Sequence, residues 1–297
     1  MRIAAALLAI MIAVPASVSA WGFEAHKFIA DRMIALLPAE LKPLFEKRRA
    51  FIVERAIDPD LWRSVGWEAE PPNHFLDMDY KDYGPYPFDA LPRDYDKAVQ
   101  KFGKDVVETQ GLLPWRTTEF YGRLQREFES LKQKEIPGYA LDNIVLYAAG
   151  LTHYVSDGHV PLHAVVNYNG QLTNQSGLHS RWEAELFERN RGVLKIAPVS
   201  IKPVTNPRDF MFDTLLASNR LAPNVLESDL KAAEGRELYD DAYFDAFGKG
   251  TLSVMEKRLN ESIGSVAAMI TGAWENAGRP AVPTELPRTP RRIRRPS

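Results

Sequence analysis

Six histidines, at positions 26, 74, 153, 159, 163 and 179, are all the imidazoles in this chain. Two of them stand four residues ahead of an acid, in His153-Tyr-Val-Ser-Asp157 and His179-Ser-Arg-Trp-Glu183. On a helix, residues four apart share one face, one turn apart. Imidazole and carboxylate are ligands that zinc takes, usually about four to an ion. His163 follows Pro161-Leu162, just past the end of the first pair's helix. A single pair at this spacing reads as an ordinary helix-surface contact. Two pairs, drawn from so few histidines and flanked by apolar helix, point to metal binding. The further histidines nearby supply ligand types for more than one ion.

Helices must position these pairs, and helical periodicity dominates after residue 21, where period-two strand patterns are scarce. Phe23, Ile29, Met33, Ile34 and Leu37 mark one apolar face, which ends at Pro38; Leu41 to Ala56 continue on a second helix. A third runs from about 114 to 134, and Ile144 to Val155 mark a fourth. Residues 180–190 and 208–219 make two more, and the last spans about 251–276. Residues 61–95, rich in proline and aromatics, read as a long ordered loop; such loops in compact domains are usually functional or disordered. The segment 279–297 is rich in proline and arginine and reads as a disordered tail. No internal repeat or linker divides the body, so one all-α, mostly helical domain over 21–278 is expected.

The chain has 297 residues, 45% hydrophobic and 26% charged, with 37 basic and 39 acidic side chains and a net charge of −2. That composition excludes a wholly disordered or collagen-like chain, and no field of one sign attracts nucleic acid by itself. Residues 1–20 have a different character: Arg2, an apolar run from Ile3 to Val14, then Pro15-Ala-Ser-Val-Ser-Ala20. The run is shorter than the about 20 residues that span a bilayer. It reads as a secretory signal peptide cut after Ala20, which predicts a secreted or periplasmic protein beginning at Trp21. No transmembrane segment is expected in the remainder. Export permits disulfides, yet the chain has no cysteine, so packing or bound metal must hold the fold. Asn174-Gln-Ser176 and Asn260-Glu-Ser262 match the N-glycosylation pattern.

Five segments occur in order: Trp21-Gly-Phe-Glu-Ala-His26; Pro59-Asp60-Leu-Trp-Arg63; His74-Phe-Leu-Asp77; His153-x3-Asp157-Gly-His-Val-Pro-Leu-His163; and Gly177-Leu-His179-Ser-Arg-Trp-Glu183. Over residues 21 to about 190 this resembles the superfamily that unites zinc-dependent phospholipase C with the single-strand-specific nucleases of fungi and plants. The resemblance implies a mostly helical fold of that type with a trinuclear zinc cleft, three Zn2+ per chain. Asp60, His74 and His153 would serve one ion, with Asp157 bridging. His163, His179 and Glu183 would hold a second. Trp21, through its freed amino group and carbonyl, and His26 would hold the third, shared with Asp157. Asp58 competes with Asp60 as the acid before His74; Asp60 fits the family spacing better. His159 matches no ligand position and is expected behind the ligands or in solvent.

The expected activity is that of a zinc-dependent hydrolase acting on phosphate esters, a phospholipase-C-like phosphodiesterase in which Asp60 and Asp157 are the catalytic acids. Phe75, Asp77, Tyr83 and Tyr86 are the residues expected at the substrate. Aromatic rings stack on bases at roughly 1–3 kcal/mol each, and they also cage a choline ammonium. Glu183 and the segment Gly177–Glu183 resemble the phospholipase branch; the step from Trp21 to His26 resembles the nuclease branch. Partners are therefore a phospholipid head group or single-stranded nucleic acid, with peripheral membrane contact open through the basic tail. A single-strand-specific nuclease/3′-nucleotidase is the alternative. A non-catalytic helical zinc-binding protein is the reading from another class.

Overall fold

The structure, a computed structural model, describes residues 21–286. The signal peptide expected at 1–20 lies outside the described residues, as do residues 287–297. The described residues form helices, turns and loops, with no β-strand among them. In chain order the helices are α1 (Phe23–Met33), α2 (Lys42–Lys47), α3 (Arg49–Arg55), α4 (Asp58–Ser64), α5 (Tyr95–Phe102), α6 (Lys104–Gln110) and α7 (Leu113–Ser130). They continue as α8 (Ala140–Asp157), α9 (Leu178–Ser180), α10 (Phe187–Asn190), α11 (Pro207–Asn219), α12 (Ala222–Ala233) and α13 (Asp241–Asn276). A π-helical turn, Arg181–Leu186, joins α9 to α10, and short 3-10 turns lie at Pro71–His74 and Pro161–Ala164.

α8 is the axis. Every residue from Ala148 to Asp157 is buried, so this helix is apolar all round except where its histidine, acid and hydroxyls sit. α7 packs along one side of it, and α1, α3 and α13 cover the rest. Prolines pre-set φ in the first turn of α4, α7, α11 and α12, where no backbone donor is lost. Asp94, Asn206 and Asp240 cap α5, α11 and α13 by accepting from Lys97 N, Asp209 N and Tyr243 N. A chain segment crosses α13 closely, with Val204 N donating to Ala268 O at 3.0 Å. A Cβ on Gly272 would stand 1.8 Å from Val204 O, so glycine is required at that crossing.

Several expectations need correction. The last helix begins at Asp241, ten residues before the expected start, because Asp240 caps it and Tyr243, Phe244 and Phe247 are buried in its first turns. α5, α6 and α12 lie where no helix was expected. The helix expected over 41–56 breaks at Arg48 into α2 and α3. The long loop is confirmed as ordered but carries α4 and two 3-10 turns, held by contacts such as Tyr83 against Tyr80 and Phe102. Of the expected tail, residues 279–286 lie along the body: Trp274 Nε1 donates to Pro280 O at 2.8 Å, and Val282 and Leu286 pack on the core. The Asn260 side chain donates to Lys195 O and Glu256 O and accepts from Ala197 N, so folding consumes that glycosylation amide. No helix among the described residues is long and apolar enough to cross a membrane.

Candidate metal centre

α1, α4, the 71–74 turn and α8 bring His26, Asp60, His74, His153 and Asp157 together, all buried. His74 Nδ1 lies 3.0 Å from Asp157 Oδ2 and 3.0 Å from His153 Nε2. His153 Nε2 is 3.3 Å from Asp157 Oδ2, and His26 Nε2 is 3.3 Å from Asp157 Oδ1. The His26 and His153 rings stack with centroids 4.0 Å apart. Ligand atoms of His26, Asp60 and His153, and those of His74, His153 and Asp157, each fall within 4.8 Å of one another. The second expected set closes as well: His163, His179 and Glu183 meet the same limit. There His179 Nε2 is 2.8 Å from Glu183 Oε2 and 3.1 Å from His163 Nε2.

The backbone explains how these side chains are aimed. Gly111, at φ +107°, lets the 110–113 strip pass so close to Phe75 that a Cβ would stand 2.2 Å from its carbonyl oxygen. Leu113 N then donates to Phe75 O, Leu76 N to His163 O, and Asp77 N to Gln110 O. The turn carrying His74 is thereby sewn to both neighbours. His153 Nδ1 lies 2.8 Å from Ala56 O, and His163 Nδ1 is bonded to His74 O. Placing the proton on Nδ1 leaves Nε2 facing the cluster as a bare acceptor, the arrangement that metal-binding histidines use.

Several buried polar atoms have no hydrogen-bond partner: both ring nitrogens of His26, His74 Nε2, Asp157 Oδ1 and both oxygens of Glu183. Leaving such a group unsatisfied costs about 1–3 kcal/mol, more when it is charged. Imidazoles and carboxylates are the donor set of zinc and similar divalent ions. The residues present therefore fit a metal ion, which would engage several of these atoms.

The two sets differ electrostatically. Burial alone would raise the Asp157 carboxyl, but His153, His26 and His74 outweigh it and hold the group well below the usual carboxylate range. Burial likewise pulls His74 down, yet its hydrogen bond to Asp157 and the nearby Glu70 carboxylate push it up to about 9. In the second set burial wins. Glu183 is pushed up to about 8 and His179 down to about 4.

A cavity of about 330 Å³ opens onto this floor, lined by His74, His163 and His179 and walled by Arg63, Pro71, Phe75, Asp77, Thr109, Leu162 and Tyr168. Arg63 NH2 lies 3.2 Å from Asp60 Oδ1. Asp77 is buried, its Oδ1 makes no hydrogen bond, and burial with Asp79 nearby pushes it up to about 7. A larger cavity of about 450 Å³ lies beside α11 and α13. Its buried arginine, Arg258, is consumed by His159 O, Thr214 O, Ser218 Oγ and Glu261, which makes it a clamp rather than a site.

Phe75 and Asp77 stand at the cleft as expected; Tyr83 and Tyr86 do not line it. Tyr83 is wholly buried in aromatic packing. Tyr86 is 44% exposed with Arg220 over its ring, beside Asp213 and Leu216 on another surface. Sequence spacing in a loop gives no face, which is why these two were misplaced. Asp60 is the acid that converges; Asp58 instead pairs with Arg55 at 3.2 Å. His159 lies neither behind the ligands nor in solvent. It is buried between α8 and α13, with Nδ1 bonded to Val155 O and Nε2 to Ser265 Oγ. Trp21 is fully buried, with its indole Nε1 donating to Ser156 O at 2.9 Å and its ring against Trp182. The indole contact sets Trp21 beside the residue that precedes Asp157.

Sequence reasoning quoted Arg63 beside Asp60 without placing it at the mouth, and missed Tyr168 there and the buried Glu70 beside His74. The signal for Glu70 was available, since Glu70-Pro-Pro-Asn-His74 repeats the four-residue acid–imidazole step in reverse order. No protein-family model matches the chain, and no curated protein matches it as a relative.

Proposed function

We propose that the protein is an exported zinc-dependent hydrolase of phosphate esters, of the phospholipase C and single-strand nuclease type, with the phospholipase-like reaction on a lipid head group as its activity. One observation carries this reading. Imidazoles and carboxylates from distant segments converge, buried and with unsatisfied atoms, on the floor of a cleft that reaches the solvent. A purely structural metal site is closed, whereas a catalytic one keeps an open position. That difference ranks the non-catalytic zinc protein below the enzyme.

Bound to His26, Asp60, His74, His153, Asp157, His163, His179 and Glu183, with the Trp21 amine and carbonyl completing the set, zinc would supply a water of pKa about 7 and neutralise phosphoryl charge. Asp157 stays anionic through its imidazole neighbours, and Asp60 is steadied by Arg63. The guanidinium of Arg63 lines the cleft and offers further donors to a phosphoryl oxygen. Phe75 and Tyr168 give flat faces for the leaving group or head group. A specific observation favours the nuclease alternative: the unpartnered Asp77 Oδ1 in the cleft that Phe75 also lines suits a flat base with an N–H edge, which choline lacks.

The test presents protein beginning at Trp21 with phosphatidylcholine and with single-stranded DNA. Phosphocholine release that chelator abolishes and zinc restores is the expected result. Mononucleotide release alone moves the assignment to the nuclease. No hydrolysis of either, with zinc bound, leaves the non-catalytic protein.

A further inference from the structure

Two of the histidines around the cluster have a device that turns the ring. For His153 and His163 the device is a backbone carbonyl. His74 has none, and its Nε2 points instead at the carboxylate of Glu70, 3.6 Å from Oε1. Glu70 is wholly buried. Its Oε1 accepts from Tyr154 OH at 2.5 Å, and its Oε2 accepts from Arg116 NH2 at 3.1 Å and Asn73 Nδ2 at 3.2 Å. Arg116 is itself fixed over the Phe120 ring at 4.8 Å and by Glu119 at 2.9 Å. A buried carboxylate with a guanidinium, a phenol and an amide on it is compensated, and its position is fixed by α7, α8 and the 71–74 turn together. With so many partners it has little capacity left to bind an ion.

Resting on the metal-centre reading, we propose that Glu70 is the positioning residue of His74: its carboxylate holds the Nε2 edge and so presents Nδ1 to the ion shared with Asp157. The carboxylate, 3.6 Å from Nε2, does here by its charge what a carbonyl does for His153 and His163. The opposite side of the cluster has its own counterpart. Arg181 donates to Asp229 Oδ1, Ser176 O and Gln175 O, and Tyr243 OH also bonds Asp229, fixing the turn that carries His179.

The pairing of these two clamps makes the test specific. In full-length mature protein, Glu70→Gln is expected to weaken zinc held through His74 and Asp157 by about 10–100-fold, while zinc at His163, His179 and Glu183 changes by less than about twofold. Asp229→Asn is expected to show the reverse. Site-resolved affinities come from competition with a chromophoric chelator and from cobalt absorption bands. Equal loss at all sites, or no loss, overturns the proposal. If Glu70→Gln does not fold, Arg116→Lys takes its place, with a smaller loss confined to the same side; no loss there overturns it as well. In metal-free protein held above the His74 value of about 9, where the ring is neutral, nitrogen NMR of that ring gives a separate readout. A wild-type tautomer that is unchanged in the variant overturns the positioning role even if zinc binds. Wild-type protein that binds no zinc overturns the metal-centre reading instead.

Discussion

The two halves of the ligand cluster use the same side-chain types and reach opposite charge states. Around Asp157 stand three imidazoles, and the carboxylate is stabilised as an anion while His74 is driven up to about 9. Around Glu183 stand two imidazoles. There, burial prevails over the pull of His163, Glu183 rises to about 8, and His179 falls to about 4, with Arg63 adding to its burial. The ratio of acid to imidazole, set against desolvation, decides the outcome. The first half brings its own charge to a cation. The second is close to neutral, and a cation must displace a proton from Glu183 there, as it must from the His74 ring in the first half.

The largest test of this contrast is Asp157→Asn. It removes the one carboxylate that touches His26, His74 and His153, and it should cut zinc affinity on that side by more than about 100-fold and abolish hydrolysis. Glu183→Gln should remove only the other ion. Metal analysis of both variants checks this, and equal stoichiometries would erase the distinction between the halves.

The N-terminus gives the next effect. An α-amine has a pKa near ~7.7–8.0 and can bind metal, whereas an amide binds poorly. Protein beginning at Trp21 should hold three zinc ions, and protein with residues left ahead of Trp21 should hold two, with hydrolysis at least about 10-fold lower. Equal specific activity of the two forms would remove this role for Trp21.

A smaller effect appears in metal-free protein as a pH dependence of stability. Glu183 is raised on folding, so its contribution is fully present below its unfolded value near 4.5 and is lost as pH rises through about 8. Glu183→Gln should therefore be more stable than wild type at pH 9, by about 1–4 kcal/mol, with the gap closing toward pH 5. Asp157 is depressed on folding, so its contribution is lost as pH falls, and Asp157→Asn should narrow its deficit in acid. Melting curves across pH decide it; gaps of the same sign and slope would show that the halves are not opposed.

The smallest effect separates cleft from surface. Phe75→Ala should raise KM by about 5- to 100-fold, through loss of about 1–3 kcal/mol of ring contact. Tyr86→Ala should leave KM within about twofold and stability within about 0.5 kcal/mol.

Local pattern was legible where it repeats within one helix. The steps His153 to Asp157 and His179 to Glu183 announced shared faces, and both pairs close. The second does so on a π-helical turn that no periodicity forecasts. The all-α class was legible for the same reason. The start of α13 was not, because Asp240 and three aromatics decide it rather than a long apolar stripe. The lining of the cleft was also hidden. Phe75, Tyr83 and Tyr86 look alike in sequence, and only the strip at Gly111 determines which ring meets the cavity.

The candidate ligands run from His26 in the first helix to Glu183, so most of the body must be assembled before the cluster exists. A chain threaded through a membrane in extended form has no such cluster to fill. If the protein is exported that way, its ions come from whatever the receiving compartment contains. Scarcity of metal there, rather than in the cytoplasm, would then set how much of it is active.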